Sequence, residues 1–194
     1  MQIINCELQI MGLEQTIEVL KNGGTILYPT DTIWGIGCDA TNEEACQQIL
    51  KLKNRPEEKS FILLMDSFQM LEKYVPEFNE VCYDLVDLAD KPLTIIYPTS
   101  KGLASSVLGK DGSVAIRITK DPICLKLIRA IRKPIVSTSA NLSNQPSPTA
   151  FNEINSTITN GVDAVLEERM TEKMSTPSQI IKIDLDGSVK IIRS

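Results

Sequence analysis

Residues 25–55 read TILYPTDTIWGIGCDATNEEACQQILKLKNR. The apolar run at 25–28 has strand character, and Pro29 ends it by removing a backbone donor. Thr30, Asp31 and Thr32 then set a carboxylate between two hydroxyls, and two spaced glycines, Gly35 and Gly37, lead into a helical pattern. Thr41 followed three residues later by Glu44 is a capping box, so Thr41 is the expected N-cap. The helix should stop near Asn54, because a residue directly before proline is pushed out of helical geometry. A strand, a polar turn and a helix in that order belong to an α/β fold.

The helix sorts its own lysines. At about 100° per residue, Ala45, Cys46, Ile49, Leu50 and Leu52 fill one apolar sector. Lys51 falls opposite, on the wet side. Lys53 falls inside the apolar sector, one turn after Ile49, with Arg55 just beyond the helix end. A lysine aimed at a core either snorkels to water or meets an anion. Spacing alone leaves both readings of Lys53 and Arg55 open.

Working outward, residues 3–10 alternate weakly and suggest an edge strand. Leu13, Ile17 and Leu20 recur at helical spacing before Gly23-Gly24. Residues 61–65 form a buried strand; 66–74 and 77–90 are helical, divided by Pro76. Strands are expected at 93–97 and 114–118. In the second of these, Ala115, Arg117 and Thr119 share one face. An arginine there requires a partner, either a structural carboxylate or a substrate. Asp121 caps a helix at 122–131 with Pro122 in its first turn. A short strand at 134–136 delivers Ser137, Ser139 and Asn141 at alternate positions, at the carboxyl end where open α/β sheets bind ligands. Residues 143–146 read as a plain turn. A helix starting at Thr149 or Phe151 should run to Asn160, followed by a strand at 163–166. A hairpin at 180–193 closes the chain, with Asp186-Gly187 as its type I′ turn.

Composition narrows the chemistry. The 194 residues carry a formal charge of −5 and no histidine. Imidazole acid–base catalysis and histidine-ligated zinc are therefore excluded, and a general nucleic-acid binder would carry a basic excess. Five cysteines (Cys6, Cys38, Cys46, Cys82, Cys124) are scattered without a C-x-x-C pair, as expected of reduced, mostly buried thiols and not of a disulfide frame or zinc site. No apolar run approaches the roughly 20 residues of a membrane span, and the start lacks the basic and apolar blocks of a signal peptide. One domain covering 1–194 and a cytoplasmic location are the expectation.

Two separated motifs carry a resemblance. The strand with PTDTIWGIGCDA (29–40), the following K-x-R pair (Lys53, Arg55), and the distant STSANLS (137–143) resemble the Sua5/YrdC/YciO family of tRNA-modification proteins. The likeness extends over most of the chain. It implies a twisted mixed β-sheet flanked by helices around a concave cleft, a YrdC-like fold related to that of dihydroxybutanone-phosphate synthase. It also implies condensation of L-threonine, bicarbonate and ATP, with Mg2+ on the triphosphate, to give threonylcarbamoyl-AMP and pyrophosphate. The product feeds a threonylcarbamoyl transferase acting on tRNA. By the same resemblance Lys53 and Arg55 are the catalytic cations. Thr32, Arg117 and Thr119 lie on the threonine side, Ser60 lies in the nucleotide pocket, and Ala115 offers backbone groups. Ser137, Ser139 and Asn141 form the serine–asparagine wall, and Ser175 and Arg193 close the pocket. No metal ligand is implied among protein side chains. The resemblance admits two other functions: a non-catalytic relative that binds nucleotide, tRNA or double-stranded RNA, and a carbamoyl-adenylate enzyme that uses carbamoyl phosphate.

Overall fold

Strands and helices interleave along the chain, and their order lays out one sheet with two covered faces. The computed structural model describes residues 9–54 and 61–194; the expectations for residues 3–8, Arg55 and Ser60 lie outside them. The strands are β1 (Ile10–Met11), β2 (Ile26–Tyr28), β3 (Gly35–Gly37), β4 (Ile62–Met65), β5 (Leu93–Tyr97), β6 (Val114–Ile118), β7 (Ile135–Ser139), β8 (Ala164–Leu166), β9 (Gln179–Ile183) and β10 (Val189–Arg193). The helices are α1 (Leu13–Lys21), α2 (Glu43–Leu52), α3 (Phe68–Tyr74), α4 (Val81–Asp87), α5 (Pro122–Ile131) and α6 (Ser156–Thr159). Among the described residues the strands form one ten-stranded sheet in the order β1-β8-β2-β3-β7-β4-β6-β5-β9-β10. It is mixed: β4 and β6 run parallel, whereas β7 is antiparallel to both β3 and β4.

Alternation along each strand divides the core. Leu64, Ile26, Tyr28 and Ile135 pack with Leu20 of α1 and Leu127 and Ile128 of α5. Their neighbours Leu63, Leu27, Ile36 and Val136 point to the opposite face and pack with Ile49 of α2, Leu71 of α3 and Val86 of α4. The four described cysteines, Cys38, Cys46, Cys82 and Cys124, are buried and free.

Four local expectations are revised. The glycine pair does not sit in a loop: Gly35–Gly37 is a strand paired on both sides, to β2 and to β7. A Cβ on Gly37 would lie 2.4 Å from the Val136 carbonyl oxygen, so the missing side chain is what lets β3 and β7 close up. The N-cap of α2 is Asn42, whose side chain accepts from Ala45 N, while Thr41 belongs to the preceding turn, its N–H and hydroxyl both directed to Asp39 Oδ1 at 2.8 and 2.7 Å. The segment expected as one helix to Asn160 is a 3-10 turn at Phe151–Glu153 and then α6, since the Asn155 side chain accepts from Thr157 N and restarts the helix as a new cap. The final hairpin forms, but only Gly187 in its turn has a positive φ, 84°. Gly187 N donates to Asp184 O and Asp184 N to Ser188 O. That is a three-residue loop closed by a glycine bulge, where a type I′ turn needs two positive-φ residues.

Candidate active site

By alternation, Ser137 and Ser139 of β7, Ile62 of β4, and Ala115 and Arg117 of β6 share the sheet face that α1 and α5 cover farther along. Where those helices stop, a cavity of about 610 Å3 opens above the strands. Register places its floor side by side: Ser137 pairs with Ile62, Ile62 with Ala115, and Ala115 with Ile96. Thr32, Ile33 and Gly35 form the wall after β2. Ser147 closes one side, and Pro177, Ser178, Ile180, Ile192 and Arg193 the other. The volume lies within the roughly 300–1,000 Å3 usual for small-molecule sites.

Two arginines face this space. Only 3% of the Arg117 side chain is exposed, and its Nη2 lies 2.9 Å from Asp31 Oδ1. Nη1 donates to Thr32 Oγ1 at 3.2 Å. Nε and Nη2 nonetheless lack an aligned hydrogen-bond acceptor among the described residues. A buried charged group left short of acceptors is held at a free-energy cost. Burial raises the carboxyl pKa of Asp31 and the Asp121 carboxylate adds to the rise, while Arg117 opposes it. Arg193 donates from Nε to Ser178 O at 2.9 Å and from Nη2 to Ser178 Oγ at 3.3 Å. Ser178 is itself fixed by Thr94, their hydroxyls 2.8 Å apart. Burial lowers the Arg193 pKa, and the charge of Arg117 lowers it further. Two cations that repel across a hollow make a seat for an anion.

Among the described residues, Lys53 meets backbone carbonyl oxygens. It is 1% exposed and turns back onto the end of β7, donating to the carbonyl oxygens of Ser139 and Asn141, the second at 2.6 Å. Its own carbonyl accepts from Ser143 N at 3.0 Å. The Ser139 hydroxyl meets Asn141 Oδ1, and Asn141 Nδ2 donates to Gln145 O at 2.6 Å. The C-terminal end of α2 is thus tied to the turn that ends the cavity's serine wall.

A family model described as Sua5/YciO/YrdC, telomere recombination, matches residues 18–194. The chain belongs to the Sua5/YciO/YrdC family. A threonylcarbamoyl-AMP synthase of Vibrio campbellii is 36% identical over 173 residues, 87% of this chain and 92% of that protein. One from Vibrio cholerae is 36% identical over 174 residues, covering 88% and 92%. A crystal structure of P. abyssi Sua5 complexed with L-threonine is similar at 27% identity with a TM-score of 0.81, over 88% of this chain and 50% of that one. This chain therefore spans half the length of that Sua5. E. coli YciO shares the fold, with a TM-score of 0.80 at 23% identity, over 94% of this chain and 88% of that one.

The structure gathers Thr32, Ala115, Arg117, Ser137, Ser139 and Arg193 around the cavity. Other positions matched to the Sua5/YciO/YrdC pattern lie elsewhere. Thr119 is past the end of β6, where its Oγ1 accepts from Asp121 N at 3.1 Å and it lines a separate groove with Ser67 and Leu125. Ser175 is exposed, and Ser178, three residues on, is the buried serine of that segment. The Asn141 side chain is spent on its own turn. Sequence reading missed Ser178 and the pairing of Asp31 with Arg117. Both had a signal: Ser178 precedes Ile180 by two residues, and a strand-borne arginine calls for a nearby carboxylate.

Proposed function

We propose that this chain is a threonylcarbamoyl-AMP synthase, a nucleotidyltransferase working as one domain over 1–194. The observation that carries this is the buried Arg117 guanidinium, two of whose nitrogens lack an aligned hydrogen-bond acceptor, in a cavity that also holds Arg193. The naming of relatives that span nearly the same length supports it.

In the proposed reaction the threonine amine attacks the carbon of bicarbonate, and water leaves as the carbamate forms. A carbamate oxygen then attacks the α-phosphorus of ATP. The bond from that phosphorus to the bridging oxygen breaks, and pyrophosphate departs. Every reactant is an anion or carries one, so the site's task is to hold like charges together in a water-poor space. Arg117, with its planar fork, takes the threonine carboxylate. Arg193 balances charge across the cavity. Ser137 and Ser139 supply hydroxyls along the wall. Lys53 and Arg55, the pair first expected to be catalytic, divide in this reading: Lys53 builds the wall from behind, and Arg55 remains the candidate phosphate contact.

The described lining contains no carboxylate, thiol or lysine. Catalysis in this reading is positioning and charge neutralisation, as in much phosphoryl chemistry. Hydroxyls and guanidinium groups suit anions and offer no seat for a resident cation. Magnesium would arrive as part of the nucleotide substrate, held by phosphate oxygens and water. The product would pass to a tRNA-modifying transferase in the cytoplasm. Among the described residues no helix is long and apolar enough to cross a membrane.

Titration calorimetry with L-threonine, L-serine and L-valine, together with pyrophosphate release, tests this reading. Threonine should bind selectively, and Arg117→Lys, which keeps the charge but loses the fork, should weaken it at least tenfold. No threonine binding, or equal binding of all three amino acids, would overturn it.

A further inference from the structure

Arg117 needs more than a place in the cavity; it needs a fixed orientation. A guanidinium on a flexible stem recognises a carboxylate bidentately only when its plane is set in advance. Strand β6 fixes the Cα of Arg117 but not the far end of the side chain. Two groups hold that end: Thr32 Oγ1 at Nη1 and Asp31 Oδ1 at Nη2.

These two groups differ in position. Thr32 lines the cavity, while Asp31 does not. Asp31 lines a separate hollow of about 160 Å3 on the other side, with Lys91, Pro92, Ile118 and Lys120. Its carboxylate therefore reaches Arg117 from behind, leaving the cavity side to the ligand. The turn holding Asp31 is itself braced. Thr30 Oγ1 donates to Ile33 O at 2.7 Å and accepts from Ile33 N at 3.2 Å. Arg169 bonds Asp121 at 2.6 Å and reaches Thr30 O at 3.5 Å. The carboxylate thus sits on a tied loop and can impose a direction on the arginine.

We propose that Asp31 is a positioning residue that sets the plane of the Arg117 guanidinium from outside the cavity, without touching the substrate. The inference rests on the reading that Arg117 receives the amino-acid carboxylate. The role belongs to the carboxylate charge, because Oδ1 lies 2.9 Å from Nη2 as an ion pair without an aligned hydrogen bond.

Two variants separate these terms. Asp31→Ala removes oxygen and charge together; Asp31→Asn keeps an acceptor oxygen and loses the charge. Calorimetry with L-threonine and separately with ATP, and steady-state pyrophosphate release, read the result. Asp31→Ala should raise the threonine Kd and KM at least tenfold while the ATP Kd moves less than twofold. Asp31→Asn, which keeps the shape and loses the charge, should lose nearly as much threonine binding as Asp31→Ala, and a thermal melt of each variant confirms that it folds. Unchanged threonine binding in Asp31→Ala, an equal loss of ATP binding, or Asp31→Asn binding threonine as tightly as the unaltered protein would each overturn the positioning role. Failure of the unaltered protein to bind threonine would instead overturn the amino-acid reading, and this inference with it.

Discussion

Replacing Lys53 with methionine is the sharpest test of how the site is built. Methionine has a similar reach and no charge. The ammonium now serves the carbonyl oxygens of Ser139 and Asn141 from a position 1% exposed. Removing it leaves Asn141 O without a donor among the described residues, which costs about 1–3 kcal/mol for a buried acceptor, whereas Ser139 O keeps the Asn141 N–H at 2.9 Å. The loss at Ser139 O is the smaller, about 1 kcal/mol for one hydrogen bond among two. Against this stands the relief of no longer burying an ammonium, which offsets part of the loss. A net destabilisation of about 2 kcal/mol is expected. At about 2–4 °C per kcal/mol for a chain of this size, the melting temperature should fall by roughly 4–8 °C. Urea unfolding followed by tryptophan fluorescence measures it directly, since Trp34 is buried and its carbonyl accepts from Ala140 N in the same turn. Pyrophosphate release should fall as well, because the Ser139 wall loses its tie. A Lys53→Met protein with unchanged urea midpoint but no activity would refute the argument. That result would return Lys53 to the ligand-binding role assigned from its motif.

Two further outcomes follow from local geometry and charge. Gly37→Ala places a methyl group 2.4 Å from the Val136 carbonyl oxygen and 2.7 Å from the Tyr28 ring. Backbone on the neighbouring strand cannot give way, so the variant should lose about 1–3 kcal/mol in urea unfolding; wild-type stability would mean that β3 and β7 do not approach as described. Asp111 accepts from Ser113 N and Oγ and pairs with Lys182 at 3.3 Å, and the Ser113 hydrogen bonds, chiefly, lower its pKa from 3.8 to about 2. A carboxylate depressed on folding stabilises above its ordinary pKa, and that contribution fades as pH falls through the folded value. Asp111→Ala should therefore narrow its stability gap to the unaltered protein between pH 3.8 and about 2, as read by melts across that range. A gap independent of pH would refute the assignment.

What the chain determines by itself is local. Alternation in residues 114–118 sets Ala115 and Arg117 on one face whatever the sheet order, because successive side chains on a strand point oppositely. Asp121 and Pro122 start α5 through their own chemistry, the carboxylate accepting from Ile123 N and Cys124 N. The paired motifs around Thr32 and Ser139 were legible as belonging to one site because they match one family. Distances across the chain are a different matter. Whether Lys53 meets an anion, water or carbonyl oxygens depends on where β7 ends, more than 80 residues away in sequence. Gly35 and Gly37 read as a loop by propensity, and only the close approach of Val136 makes them a strand. Thr41 and Asn42 are both sound caps; the fold sets Thr41 in the preceding turn, on Asp39, and leaves the cap to Asn42. Arg117 was expected to have either a carboxylate or a substrate. The folded sheet places Asp31 behind it and a cavity before it, an arrangement of three separate segments that no single stretch of sequence encodes.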